Sequence, residues 1–188
     1  YSNEGVNYGY FRQGLKRPGV RHNHQTLPAL CALFGGRYFG RDYAWPDAKG
    51  WLKDARKLFS AQALSFKPVC DAAGYQWFTM DTMATYALVS GDMSFFENGS
   101  CRRTCDLVLL CMANRGEVPS FGDGGSWGVV PTPLLSAAAY VYRDGRYQKA
   151  IGNRKRPLGR GFVTAGIEDR GWEEYDGVHA FPMDPQFH

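Results

Sequence analysis

Three apolar stretches of helical period recur along the chain, each followed by a glycine and then an aromatic residue. Their turns align as FGGRYFG, VSGDMSFF and YRDGRYQKA, so that Gly36, Gly91 and Gly145 are separated by 55 and then 54 residues. A helix with one apolar face must bury it against a neighbour, and a fixed period of this size is the signature of stacked helical hairpins. In the first hairpin Leu27, Leu30, Cys31, Phe34 and Tyr38 follow helical spacing up to a glycine stop in GGRYFG. Its second helix has Pro46 near its start and carries Trp51, Ala55, Leu58 and Phe59 on one face. The second hairpin places Trp77, Met80, Ala84, Ala87 and Leu88 together, stops at Gly91, and continues into FFENGSCRRTCDLVLLCM. The third, PLLSAAAYVYRDGRYQKAI, is predicted to turn at Gly145.

The predicted fold class is therefore all-α, with stacked hairpins forming part of an (α/α) toroid. A ring of six such hairpins would take about 320 residues, whereas the 188 residues here hold three. The helical portion spans 1–151, and a basic, irregular or short-stranded segment spans 152–188, with FVTAGI and VHAFPM as the candidate strands. With 44% hydrophobic and 15% aromatic residues, the chain can fill a core. Its opening, YSNEGVNYGY, reads as a processed end or as a piece of something longer, so the remainder of a longer chain or another subunit is an expected partner. Between the second and third hairpins, NRGEVPSFGDGGSWGVVPTP is a long glycine- and proline-rich connection, a type that often carries function in compact helical proteins.

Charge and motif content narrow the function classes. A net charge of +4 favours acidic partners but is far below that of a nucleic-acid binder, and GNRKRPLGR has no aromatic residues interleaved with its basic ones. No apolar run approaches the ~20 residues of a membrane span. The glycines of GDGGSW lack the Gly-Lys-Ser/Thr of a phosphate-binding loop. Five cysteines form no CxxC pair, and Cys101, Cys105 and Met112 fall in phase with Val108 as a buried stripe. A disulfide through Cys31 or Cys70 is left open, and Asn98-Gly99-Ser100 fits a glycosylation sequon.

Candidate polar groups collect ahead of the first helix of each hairpin: Arg21, His22, Asn23 and His24, then Asp71 and Tyr75, then Glu117, Asp123, Ser126 and Trp127. In stacked hairpins such loops lie at one end. Asn23-His24, and Tyr75 after an Asp-containing loop 52 residues later, resemble the heparinase II/III and alginate lyase-type polysaccharide lyases. The resemblance covers roughly residues 20–130. It implies an incomplete (α/α) toroid, an acidic uronate-containing polysaccharide as substrate, an extracellular or periplasmic location, and no metal or organic cofactor. It also implies Asn23, His24 and Tyr75 as catalytic residues. Arg21, His22, Gln76, Asp123 and Trp127 are the expected substrate-binding groups. The chain departs from the family in having Gln76 and Trp77, and no His, directly after Tyr75, and in lacking a β-sandwich.

The residue types suit the chemistry. Removing the proton α to a sugar carboxylate requires that the carboxylate charge be offset. An amide and an imidazole can do this by hydrogen bonding the enolate-like transition state. Tyr75 as base needs nearby positive charge to favour its phenolate, from Arg21 or His22. Plainer roles compete: Asn is a preferred helix N-cap, Tyr75 could pack between hairpins, and Trp127 could plug its loop. Two other function classes fit the same pattern. An inverting glycoside hydrolase would use Asp71 with Glu117 or Asp123, and a non-catalytic glycan-binding or scaffold fragment would use none of these groups chemically.

Overall fold

The computed structural model describes residues 11–16, 23–64, 73–113, 116–119 and 130–152. All regular structure among the described residues is helical: a segment over 11–16, then α1 (Asn23–Asp42), α2 (Ala48–Ala63), α3 (Ala73–Ser90), α4 (Ser94–Glu97), α5 (Ser100–Cys111), α6 (Thr132–Tyr142) and α7 (Gly145–Ile151). The fold is all-α, as the periodicity predicts. The segment from 153 onward, with both candidate strands, lies outside the described residues.

The first hairpin differs from its prediction in two ways. Helix α1 does not stop in GGRYFG but runs through Gly35, Gly36 and Gly40 to Asp42. Two of these glycines serve close approach: a Cβ on Gly36 would meet Leu52 Cγ at 2.7 Å and the Ala48 carbonyl oxygen at 3.0 Å, and one on Gly40 would meet Ala48 Cβ at 3.2 Å. The turn comes later. Phe39 O accepts from both Tyr43 N (3.2 Å) and Trp45 N (3.0 Å), and Ala44 takes a left-handed backbone, φ 49°. The second difference is the buried face. Leu27, Cys31, Phe34 and Tyr38, expected in the core, are exposed, and only Leu30 of that set is buried. Thr26, Ala29, Leu30, Leu33 and Gly36 form the covered arc of a helix that packs on α2 and α3, with the closest approach to α2 at Gly36.

Helix α2 follows its prediction more closely, burying Ala55, Leu58 and Phe59 and leaving Trp51 half-buried. Helix α3 is central. Residues 82–87 are buried all round it, and it packs against α1, α2, α4 and α6. A helix apolar on all sides has to lie inside. The Tyr86 ring stacks on Phe59 at 3.9 Å between centroids. Here the glycine stop is real: Gly91 has φ 82°, and its N–H donates to Ala87 O.

Helix α5 packs on α4, α6 and α7. Cys101, Cys105 and Val108 are fully buried on it, as their phase predicts, whereas Met112, expected on the same stripe, falls just past the helix end in extended backbone and is half-buried; Cys31, Cys101, Cys105 and Cys111 are free thiols. Burial pushes the Cys105 thiol well above its ordinary range. The sequon asparagine has a structural task. Asn98 Nδ2 donates to Ala63 O at the end of α2, and Asn98 Oδ1 accepts from Ser100 N at 2.9 Å at the start of α5.

The last hairpin turns at Arg143 (φ 54°), not at Gly145, which is buried as the first residue of α7. Asp144 caps α7 by accepting from Arg146 N at 3.0 Å. The regular spacing of Gly36, Gly91 and Gly145 therefore does not mark three equivalent turns, although each glycine belongs to a helical pair. Distant elements are tied by polar groups. Tyr147, wholly buried on α7, donates its hydroxyl to Asp106 Oδ1 of α5 at 2.7 Å, and Tyr142 OH donates to Phe96 O at 2.8 Å.

Candidate functional site

The first turns of α1 and α3 hold the candidate catalytic residues. Asn23 begins α1 and is half-buried, and His24 beside it is exposed. Thr26, fully buried, directs its hydroxyl to the Asn23 carbonyl at 3.5 Å. Pro28 has no N–H to offer the His24 carbonyl one helical turn earlier, which loosens the hydrogen-bond ladder where these two residues sit. The start of α3 is built alike. Tyr75 is 43% exposed in its first turn, and buried Thr79 donates to the Tyr75 carbonyl at 2.9 Å. In each helix a buried threonine pins to the core the turn that presents the candidate side chain.

The two helices pack against each other and are joined by one long-range bond, from Arg37 Nη1 to Val89 O at 2.7 Å. Arg37 lies as many residues beyond Asn23 as Val89 lies beyond Tyr75, so the bond links equivalent turns counted from the two candidates. Sequence reasoning missed Arg37. A single arginine near a helix end carries no periodic signal, and its partner is a backbone atom.

Of the expected substrate-binding groups, Gln76 is buried at 7% exposure and so faces away from the surface that Tyr75 presents. Arg21, His22, Asp123 and Trp127 lie outside the described residues, as does Asp71. Glu117, the described member of the alternative carboxylate set, is exposed just beyond α5, where its carbonyl accepts from Ala113 N at 2.8 Å. Among the described residues no group of three or more His, Cys, Asp or Glu side chains converges as a metal site. No described helix is long and apolar enough to cross a membrane.

A second polar cluster, also missed, lies among α5, α6 and α7. Arg146 and Asp144 form a bidentate pair (2.8 Å and 3.1 Å), Arg102 approaches Asp144 at 3.5 Å, and its guanidinium covers the Tyr142 ring at 4.1 Å. Every member has a partner within the cluster, and the arrangement joins α5, α6 and α7. It stabilises the fold and leaves no group poised for chemistry.

Fold and candidate residues together define an all-α protein of helical hairpins with an amide and an imidazole in the first turn of α1 and a phenol in the first turn of α3, two helices that pack together. No protein-family model, curated protein or solved structure matches the chain.

Proposed function

We propose that this chain carries a polysaccharide lyase-type site that cleaves a uronate-containing glycan by β-elimination. Asn23 and His24 hold the sugar carboxylate and stabilise the charge that develops when the α proton leaves. Tyr75 takes that proton, or returns one to the departing 4-linked oxygen. The observation that supports the reading is the packing of the two helices that bear the candidates. Asn23 and Tyr75 open helices that pack together and are bonded at equivalent turns, and the Tyr75 ring reaches solvent. On this reading the two turns lie at one end of the pair and border a single cleft.

The test is to incubate the protein with alginate, polygalacturonate, hyaluronan and heparin and to follow the ultraviolet absorbance of unsaturated sugar ends. At least one polymer is expected to give absorbance. Tyr75→Phe should lower the rate by about 10²–10⁴-fold, and Asn23→Ala by about 10²–10³-fold. No absorbance with any polymer, or a Tyr75→Phe variant as active as the parent, would sink the reading.

A further inference from the structure

The turn between α1 and α2 carries an array of aromatic rings that the catalytic reading does not use. Tyr38, Phe39, Tyr43 and Trp45 are 47, 39, 60 and 50% exposed. They touch in sequence: Tyr38 to Phe39 at 5.1 Å between centroids, Tyr38 to Tyr43 at 5.4 Å, Phe39 to Tyr43 at 5.8 Å and Phe39 to Trp45 at 6.5 Å. Beneath them Phe39 stands edge-on to half-buried Trp51 at 6.2 Å. The array is held in shape by the two amides that converge on Phe39 O, by the left-handed Ala44, and by a 3.2 Å hydrogen bond between the Tyr38 and Tyr43 hydroxyls.

An exposed apolar patch of this kind marks a contact surface. Its chemistry favours a sugar polymer over a helix of another protein. The rings are tilted or edge-on to one another, and each is at least 39% exposed. Their electron-rich faces attract the weakly positive C–H faces of pyranose rings. Two hydroxyls and an indole N–H border the rings and can bond sugar hydroxyls. The surroundings are basic: Arg37, Arg41, Lys49, Lys53, Arg56 and Lys57 are all exposed, against Asp42, Asp47 and Asp54, so this hairpin holds +3 of the chain's net +4. That balance complements a polymer bearing carboxylates.

The position also fits. His24, Leu27, Cys31, Phe34 and Tyr38 follow one another at helical spacing along a single exposed stripe of α1. The 20 residues of α1 span about 30 Å, so one extended glycan can run from the Asn23 end of the helix to the aromatic array. We infer that the α1–α2 turn is a second, non-catalytic binding platform for the same acidic polysaccharide. It rests on the proposed substrate class and makes long chains bind more tightly than short ones.

Affinity electrophoresis through gels containing alginate, polygalacturonate, hyaluronan or heparin, with uncharged hydroxyethyl cellulose as control, tests the platform. The parent protein should be retarded by at least one acidic polymer and not by the control. The double variant Tyr43→Ala/Trp45→Ala should bind that polymer about tenfold more weakly or worse, while Tyr75→Phe stays retarded. Far-ultraviolet circular dichroism should show unchanged helix in both variants, and Trp45→Phe, which keeps a ring, should retain most of the binding. The platform is overturned if the double variant is retarded like the parent, if no acidic polymer retards the parent, or if the double variant alters only self-association on size exclusion. If retardation is lost in the double variant but the parent yields no unsaturated ends, the lyase reading falls and the platform stands.

Discussion

Ala44 sits in the left-handed region with φ 49°, where the Cβ of an L-residue crowds the following carbonyl and costs about 1 kcal/mol. Glycine has no Cβ to crowd, but it adds freedom to the unfolded chain and returns part of the gain. Ala44→Gly is therefore expected to stabilise the protein by about 0.5–1 kcal/mol, a rise of roughly 1–4 °C in the thermal midpoint for a chain of this size. Arg143 has the same backbone strain at φ 54°, yet its guanidinium lies 5.3 Å from the centre of the Tyr140 ring. Arg143→Gly would relieve strain and lose that contact, so its expected effect is near zero. Asp144 shows a titration at the same scale. Burial pushes its carboxyl up, but the side-chain and backbone bonds from Arg146 and the charges of Arg146 and Arg102 outweigh burial and hold it below the usual carboxylate range. A depressed folded value means that its contribution is complete above the unfolded value of about 3.9 and is lost as pH falls through the folded one. Asp144→Asn should cost about 1–2 kcal/mol at neutral pH, and the difference from the parent should shrink as denaturant titrations are taken below pH 3.9.

At the scale of elements, two glycines of the first hairpin make opposite predictions. Gly36 faces α2 with Leu52 Cγ and the Ala48 carbonyl oxygen inside the space a Cβ would need. A leucine side chain can swing aside, but the backbone carbonyl cannot, so Gly36→Val should destabilise by about 1–3 kcal/mol through forced separation of the helices. Gly50, on the outer side of α2, has nothing within 4 Å of an added Cβ. Gly50→Ala should stabilise by about 0.5–1 kcal/mol, since alanine is the better helix former and limits the unfolded chain. Urea unfolding of the pair checks both signs, and a shared sign would mean that α1 and α2 do not approach through Gly36. The same two positions show why the first hairpin was only partly legible. Periodicity located α2 and its buried face because Ala55, Leu58 and Phe59 have no rival stripe. In α1 there are two apolar arcs, and the larger side chains, Leu27, Phe34 and Tyr38, lie on the one left open. The covered arc joins Leu30 and Leu33 to Thr26, Ala29 and Gly36, and it is selected by the close approach to α2 at Gly36, a preference that hydrophobicity counts do not register.

At the scale of the molecule, the all-α class could be read from the sequence, but the bonds that join distant helices could not. Phase along one helix says nothing about partners 41 or 52 residues away, such as Tyr147 with Asp106 or Arg37 with Val89. The candidate site was legible to the same extent. The sequence placed Asn23 and Tyr75 at helix starts, and what lies between those helices had to come from their packing. Tyr147 permits a test of how far such bonds carry the whole fold. Its ring is fully buried, and burial pushes its hydroxyl well above the ordinary phenol range, with the neighbouring Cys105 and the Asp106 carboxylate adding to the rise. The hydroxyl therefore stays protonated and donates to Asp106, which also lies 3.7 Å from Arg146. Tyr147→Phe keeps the ring and removes one charge-assisted bond. Asp106 retains partial solvent access and the arginine nearby, so the carboxylate is not stranded and the cost should be about 1–2 kcal/mol. Tyr147→Ala adds a cavity between α7 and α5 and should cost about 3–5 kcal/mol. In urea both variants should shift the midpoint, and the phenylalanine variant should leave the slope unchanged, because the surface exposed on unfolding is the same. If α7 instead detached on its own, Tyr147→Phe would lower the slope or split the transition while the first hairpin unfolded as before. A single shifted transition reported alike by the chain's tryptophan fluorescence and by far-ultraviolet circular dichroism would show that the hairpins unfold as one cooperative unit.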